Sequence, residues 1–227
     1  MRPPARRTLV AGAVAVTAMT LVSGCTPAGL PIHAEVQWEG RNVGRYEDDP
    51  RVEILREYVV QLHAADNALN YSDDALTSVA TKSGLESSSS NTAGSATGLW
   101  GDSVTLWEGP PSFSVVGIQE LPYDRAEITV CERSAPWWSL DSRLDDTSEI
   151  VEERDGMYRF EQTDFREITY ELVKQDNRWL VDGGCGGPVC DPGEVATGTY
   201  TTPPDLDLLR EATPDMVIGP DGRPADS

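Results

Sequence analysis

Lysine is almost missing from this chain: Lys82 and Lys174 stand alone, and arginine carries the rest of the positive charge. Basic residues total 18 against 38 acidic ones, a formal net charge of −20. A surface of that sign repels nucleic-acid phosphates and anionic headgroups, which argues against nucleic-acid partners and against electrostatic adhesion to a membrane. The acids are spread along the chain, so they read as a solvated, self-repelling surface in preference to a site for cationic partners or divalent ions. Histidine is nearly as scarce, with only His33 and His63. No glycine loop ends in the lysine and hydroxyl that cradle phosphate. Ser87 to Ser90 has neither a nucleophile-elbow pattern nor a paired histidine. Asp141, Asp145, Asp146, Glu149, Glu152, Glu153 and Asp155 lack the alternating order and central glycine of a calcium loop. The apolar stretch Leu9 to Val22 is shorter than the roughly 20 residues that a membrane-spanning helix needs.

That stretch belongs to the most telling segment that is present. Arg2, Arg6 and Arg7 give a positive start, the apolar run follows, and Leu21-Val22-Ser23-Gly24-Cys25 closes it. A basic start, a short apolar run and small residues before a cut mark a secretory signal. The segment resembles the lipobox of bacterial lipoproteins, of the actinobacterial type. The resemblance implies cleavage between Gly24 and Cys25 and a diacylglyceryl group on the Cys25 sulfur. The chain is then expected at the cell membrane, lipid-anchored on the extracytoplasmic face. Each buried methylene of such an anchor contributes about 0.8 kcal/mol, so two or three long chains hold stably. Arg6-Arg7 is a weak twin-arginine echo whose remaining motif is missing, and a plain export signal fits better. Losing residues 1–24 removes three arginines and no acid, which takes the charge from −20 to −23.

With Cys25 acylated, Cys131, Cys185 and Cys190 remain, an odd set that allows one bridge within the chain. Cys131 with either late cysteine would close a loop of more than about fifty residues, contributing about 4 kcal/mol in the chain-entropy picture. A small Cys185–Cys190 ring competes. A metal site ranks third, because neither histidine lies near these cysteines in sequence.

Four segments follow: a signal peptide over 1–24, a flexible tether over 25–49 with a short strand at Glu35 to Trp38, a domain over 50–195, and a Pro/Asp-rich tail over 196–227 with one helical turn at Leu206 to Glu211. Pro50 opens a helix, and Val52, Leu55, Val59, Leu62 and Leu69 form one apolar stripe along it. Ser72 is expected to cap a second short helix. Ser83 to Gly98, almost devoid of large apolar groups, reads as a mobile loop. The period then becomes two. Strands are expected at Val104 to Trp107, Phe113 to Glu120, Arg125 to Glu132, Trp137 to Leu140, Phe165 to Val173 and Arg178 to Asp182, with a hairpin around Asp155-Gly156. Gly183 to Gly193 reads as loop.

Helices followed by antiparallel strands give an α+β class. The helix RVEILREYVVQLHAADNALNYSD, the segment EGPPSFSVVGIQE, the strand RAEITVC and the hairpin REITYELVKQDNRWLVDGG resemble the NTF2-like superfamily. Its ketosteroid-isomerase-like members form a cone from a long helix and a curved sheet, so the resemblance implies N-terminal helices packed on a curved antiparallel sheet. The resemblance covers Pro50 to Cys190 and implies no single activity, since the family holds isomerases, dehydratases and pure binding domains.

Asp66 shares the helix face of Val59, Leu62 and Leu69, where an acid could serve as general base if burial raised its pKa. The simpler reading is a wet helix end or bonds from nearby backbone amides. His63 lies about 70° off the stripe at 100° per residue, as a helper to Asp66 or as a flanking ring. Trp100, Trp107, Trp137, Trp138 and Trp179 read as core before cavity. No cofactor or metal is expected. The leading expectation is a lipid-anchored domain that binds a small ligand or an envelope protein without catalysis. The alternatives are an isomerase or dehydratase pocket using Asp66, and a structural or assembly partner of the envelope.

Overall fold

A computed structural model describes residues 29–97, 103–142 and 148–225. The signal peptide, Gly24 and Cys25 lie outside the described residues, as do Trp100, Asp145 and Asp146. Among the described residues the first regular element is a strand, β1 (Val36–Glu39), close to the short strand expected at Glu35 to Trp38, so the helices follow it and are not N-terminal. Helix α1 (Pro50–Ala68) starts where Asp49 accepts from the Arg51 amide and Pro50 needs no amide partner. It ends at Leu69, whose left-handed backbone (φ 50°) is offset by complete burial of its side chain. Helix α2 (Asp74–Val79) is capped by Asp73, one residue later than the expected Ser72.

Helix α3 (Lys82–Ala96) replaces the loop expected over Ser83 to Gly98. Its buried face is Leu85, Ser89 and Ala93, one per turn and mostly small, so the apolar period is faint. Small residues suit the packing: a Cβ on Gly84 would come 2.7 Å from the Asp182 carbonyl oxygen.

The strands are β2 (Leu106–Trp107), β3 (Ser112–Leu121), β4 (Arg125–Arg133), β5 (Trp137–Ser139), β6 (Ser148–Arg154), β7 (Met157–Gln162), β8 (Phe165–Gln175), β9 (Arg178–Cys190) and β10 (Thr197–Tyr200). They form three antiparallel sheets, ordered β3-β4-β8-β9, β2-β5-β7-β6 and β1-β10. The class is therefore α+β with antiparallel sheets. Leu55 and Val59 of α1 join Ile128, Val130, Leu172 and Val181 of the first sheet in one apolar cluster. Each such buried side chain contributes about 1.5–3 kcal/mol.

Strand β9 runs through Gly183 to Cys190, where a loop was expected. It shifts register twice against β8 and crosses its first shift at Gly183 (φ 150°), a backbone open to glycine. Gly184 lies under the Tyr170 ring, where a Cβ would meet a ring carbon at 2.9 Å. The strand's last residue closes the disulfide Cys131–Cys190, and Cys185 stays free and exposed. The bridge spans 59 residues, about 4 kcal/mol of loop-closure entropy.

The segments expected as flexible tether and tail pair with each other. Val36 to Glu39 faces Thr197 to Tyr200 in register. Ile218 exchanges backbone hydrogen bonds with Leu69 and Tyr71. Helix α4 (Leu208–Glu211) buries Leu208 and Leu209, and Val217 and Ile218 are buried after it. These few apolar residues hold both ends against the 50–195 unit. Among the described residues, no helix is long and apolar enough to cross a membrane.

Candidate functional site

Asp66 sits in the last turn of α1, and both of its carboxylate oxygens are occupied. The Tyr71 hydroxyl donates to Oδ1 at 2.5 Å, and the Trp107 indole Nε1 donates to Oδ2 at 3.0 Å. Since Tyr71 spends its proton on Asp66, the Thr92 hydroxyl, 2.6 Å away on α3, donates to Tyr71. Neither the expected wet helix end nor the backbone amides supply the partners. Asp66 keeps part of its surface open, yet protein crowds the carboxylate and burial pushes its pKa up to about 6, against the pull of its two donors.

His63 is brought to the same tryptophan. Its ring stacks on Trp107 with centroids 4.2 Å apart and planes at 13°. Its Nδ1 lies 3.3 Å from the Gly109 carbonyl oxygen, so Nδ1 carries the proton and donates there. It makes no hydrogen bond to Asp66, and burial pushes its pKa down to about 4. His63 therefore packs beside the acid as a neutral ring and does not assist it. Asn67 fixes the strand that carries Trp107: its side chain donates to the Trp107 carbonyl at 2.8 Å and accepts from the Trp107 amide at 2.7 Å.

One residue further on, Glu108 is held differently. Arg159 of β7 grips it with Nε to Oε1 and Nη2 to Oε2, both at 2.7 Å, and the Trp138 indole Nε1 adds a third bond at 3.0 Å. The Arg159 guanidinium holds the Glu108 carboxyl below its ordinary value, and Glu108 in turn raises Arg159. Arg159 also donates to Glu161 at 2.7 Å.

Glu108 lines a cleft of about 530 Å³ together with Trp138, Arg154, Tyr200, Asp205 and Asp207. The Arg154 guanidinium carbon stands 5.5 Å from the centroid of the Trp138 ring. A second cleft, about 980 Å³, runs between β1 and α1, with acids Asp48, Glu53 and Glu57 and the exposed Trp38 along it. A third, about 260 Å³, is walled by Leu30, Ala64, Ala68 and Leu208. None of these three clefts reaches Asp66 or His63.

Glu132, at the end of β4, is pushed up to about 7 by burial while the Tyr170 hydroxyl donates to it at 2.8 Å. Arg166 stands opposite Glu132 in register, and its Nε is buried without a hydrogen-bond partner among the described residues. Strand alternation could have revealed Glu132, which falls on the face of Ala126, Ile128 and Val130. Glu108, Arg154 and Arg159 gave no such signal, because their roles arise from pairing across the second sheet. Of the tryptophans, Trp138 is buried core and cleft wall at once, and Trp179 lies beside the cations Arg51 and Lys174. Among the described residues, no group of three or more His, Cys, Asp or Glu is placed to hold a metal ion. Compared with known proteins, the chain matches no family model, no curated protein and no solved structure.

Proposed function

We propose that this chain is an exported lipoprotein, anchored through Cys25, whose α+β domain binds a small ligand without transforming it. The cleft beside Glu108 carries the binding half of this reading. Its carboxylate is immobilised by three charge-assisted or indole bonds, and an arginine lies over its tryptophan wall. Preformed concave sites with an apolar wall and few fixed polar groups are the usual form of ligand pockets. The signal-like start of the sequence carries the anchoring half. A domain of the NTF2-like kind remains part of the proposal, supported by a 19-residue helix whose apolar stripe shares its core with an antiparallel sheet.

Two measurements test the halves separately. Mass spectrometry of the mature chain should find acyl chains on Cys25, and Cys25→Ala should release the protein from the membrane; equal retention overturns the anchor. Thr199 lines the cleft from an exposed strand position, so Thr199→Trp should fill it without loss of fold. A compound library read by thermal shift should contain ligands that stabilise the parent and fail on Thr199→Trp. If every hit acts equally on both, the cleft is not the site.

One observation favours the second reading, a pocket enzyme: the raised pKa of Asp66, in the range of a general base. Both of its oxygens are taken by donors, so a substrate would have to displace Tyr71 or Trp107. Asp66→Asn should leave any turnover of the parent unchanged if Asp66 is structural, and abolish it if Asp66 is the base.

A further inference from the structure

The charges left unpaired in the Glu108 cleft define what it takes. Glu108 itself is neutralised by Arg159, which leaves Arg154, Asp205 and Asp207 as the charged lining. None of the three makes an ion pair among the described residues. Arg154 comes from β6, whereas the two aspartates come from the segment after β10, so opposite charges approach one cavity from different parts of the chain. The Asp205 carboxylate spends one oxygen on the Asp207 amide, 3.2 Å away, and keeps the other. Trp138, Tyr200 and Leu206 line the same cleft.

An anion entering here would be drawn to Arg154 and repelled by two carboxylates. A cation would meet the reverse. A molecule with both signs at its two ends satisfies the whole lining at once. We propose, resting on the cleft reading above, that this site binds a zwitterion of the α-amino-acid class: a free amino acid or short peptide with both termini unblocked and an apolar side chain. Its carboxylate takes the planar fork of Arg154, its ammonium lies against Asp205 and Asp207, and its side chain covers the aromatic and aliphatic floor. A volume of about 530 Å³ suits a ligand of that size.

Isothermal titration of the full mature chain in detergent tests this with four probes: the dipeptide Leu-Phe, its N-acetyl form, its C-terminal amide, and phosphoethanolamine. The free dipeptide should bind, and each blocked form should bind at least about tenfold more weakly. Arg154→Gln, at an exposed position, should weaken the free dipeptide to the level of its amide while leaving the amide unchanged. The Asp205→Asn/Asp207→Asn pair should do the same with respect to the N-acetyl form. Thr199→Trp should remove binding of all of them. Blocked peptides that bind as tightly as the free one overturn the proposal, and so does phosphoethanolamine binding alone. Peptides that fail while another compound class still separates the parent from Thr199→Trp overturn the zwitterion and spare the cleft. If nothing separates those two proteins, both fall.

Discussion

Trp107 and Trp138 each give an indole N–H to a carboxylate, at the same 3.0 Å, and the two carboxylates come out on opposite sides of the ordinary range. Asp66 adds a neutral phenol to its indole; Glu108 adds a guanidinium. Burial outweighs two neutral donors and raises Asp66, whereas a bidentate cation outweighs burial and lowers Glu108. The difference separates two regions only one residue apart in sequence at Trp107 and Glu108. One closes on itself and joins α1, α3 and β2. The other keeps its charge and opens on a cleft. A local hydrogen bond therefore says little about a carboxylate until its second partner and its depth of burial are known.

The largest expected effect comes from making the second region resemble the first. Arg159→Met leaves Glu108 half-buried with one indole donor, and urea unfolding at pH 7 should show a loss of about 3 kcal/mol. In the same variant the Glu108 carboxyl should move above its ordinary 4.5. Next is the pH dependence. Asp66 is raised from 3.8 to about 6, so the folded state holds its proton more tightly than the unfolded chain does. Its contribution is fully present below about pH 4 and is lost as pH rises through about 6, on the order of 2 kcal/mol after allowing for partial exposure. Glu108 has the opposite sign: its lowered pKa contributes above pH 4.5 and fades as pH falls through the folded value. Asp66→Asn should flatten the decline between about pH 4 and 6 and leave the acid limb in place.

Smaller still, Tyr71→Phe removes one donor from Asp66 and should cost about 1–2 kcal/mol at pH 7, with the Asp66 midpoint moving further up. Carboxyl carbon resonances check both. The smallest effect belongs to Glu161, the exposed partner of Arg159: Glu161→Gln should change stability by less than about 0.5 kcal/mol. A large loss there would mean that the second region is a buried network and not a one-pair clamp.

The sequence made the contrast only half legible. Asp66 stood out because it interrupts a helical stripe, and Tyr71 lies just five residues on. Trp107 lies 41 residues away, and nothing local announces it. Glu108 and Arg159 are separated by 51 residues and meet only because β5 and β7 pair beside β2. The same reason explains the elements. Helix α1 declares itself through Pro50 and a stripe of large side chains, and β4 through strict alternation. Helix α3 hides because two of its three buried residues are Ser89 and Ala93. The far half of β9 hides because Gly184, which makes room for the Tyr170 ring, and the glycines around it look like loop. The short strand expected at Glu35 to Trp38 is β1 within one residue, but its pairing hides because its partner β10 is only four residues long and lies far away in the chain.

That burial governs Asp66 while the Arg159 cation governs Glu108 is read out by a carboxyl carbon NMR titration that follows both groups in one sample. Asp66 should titrate near 6 and Glu108 below 4.5. A Glu108 midpoint above that of Asp66, or two midpoints at ordinary values, would contradict this.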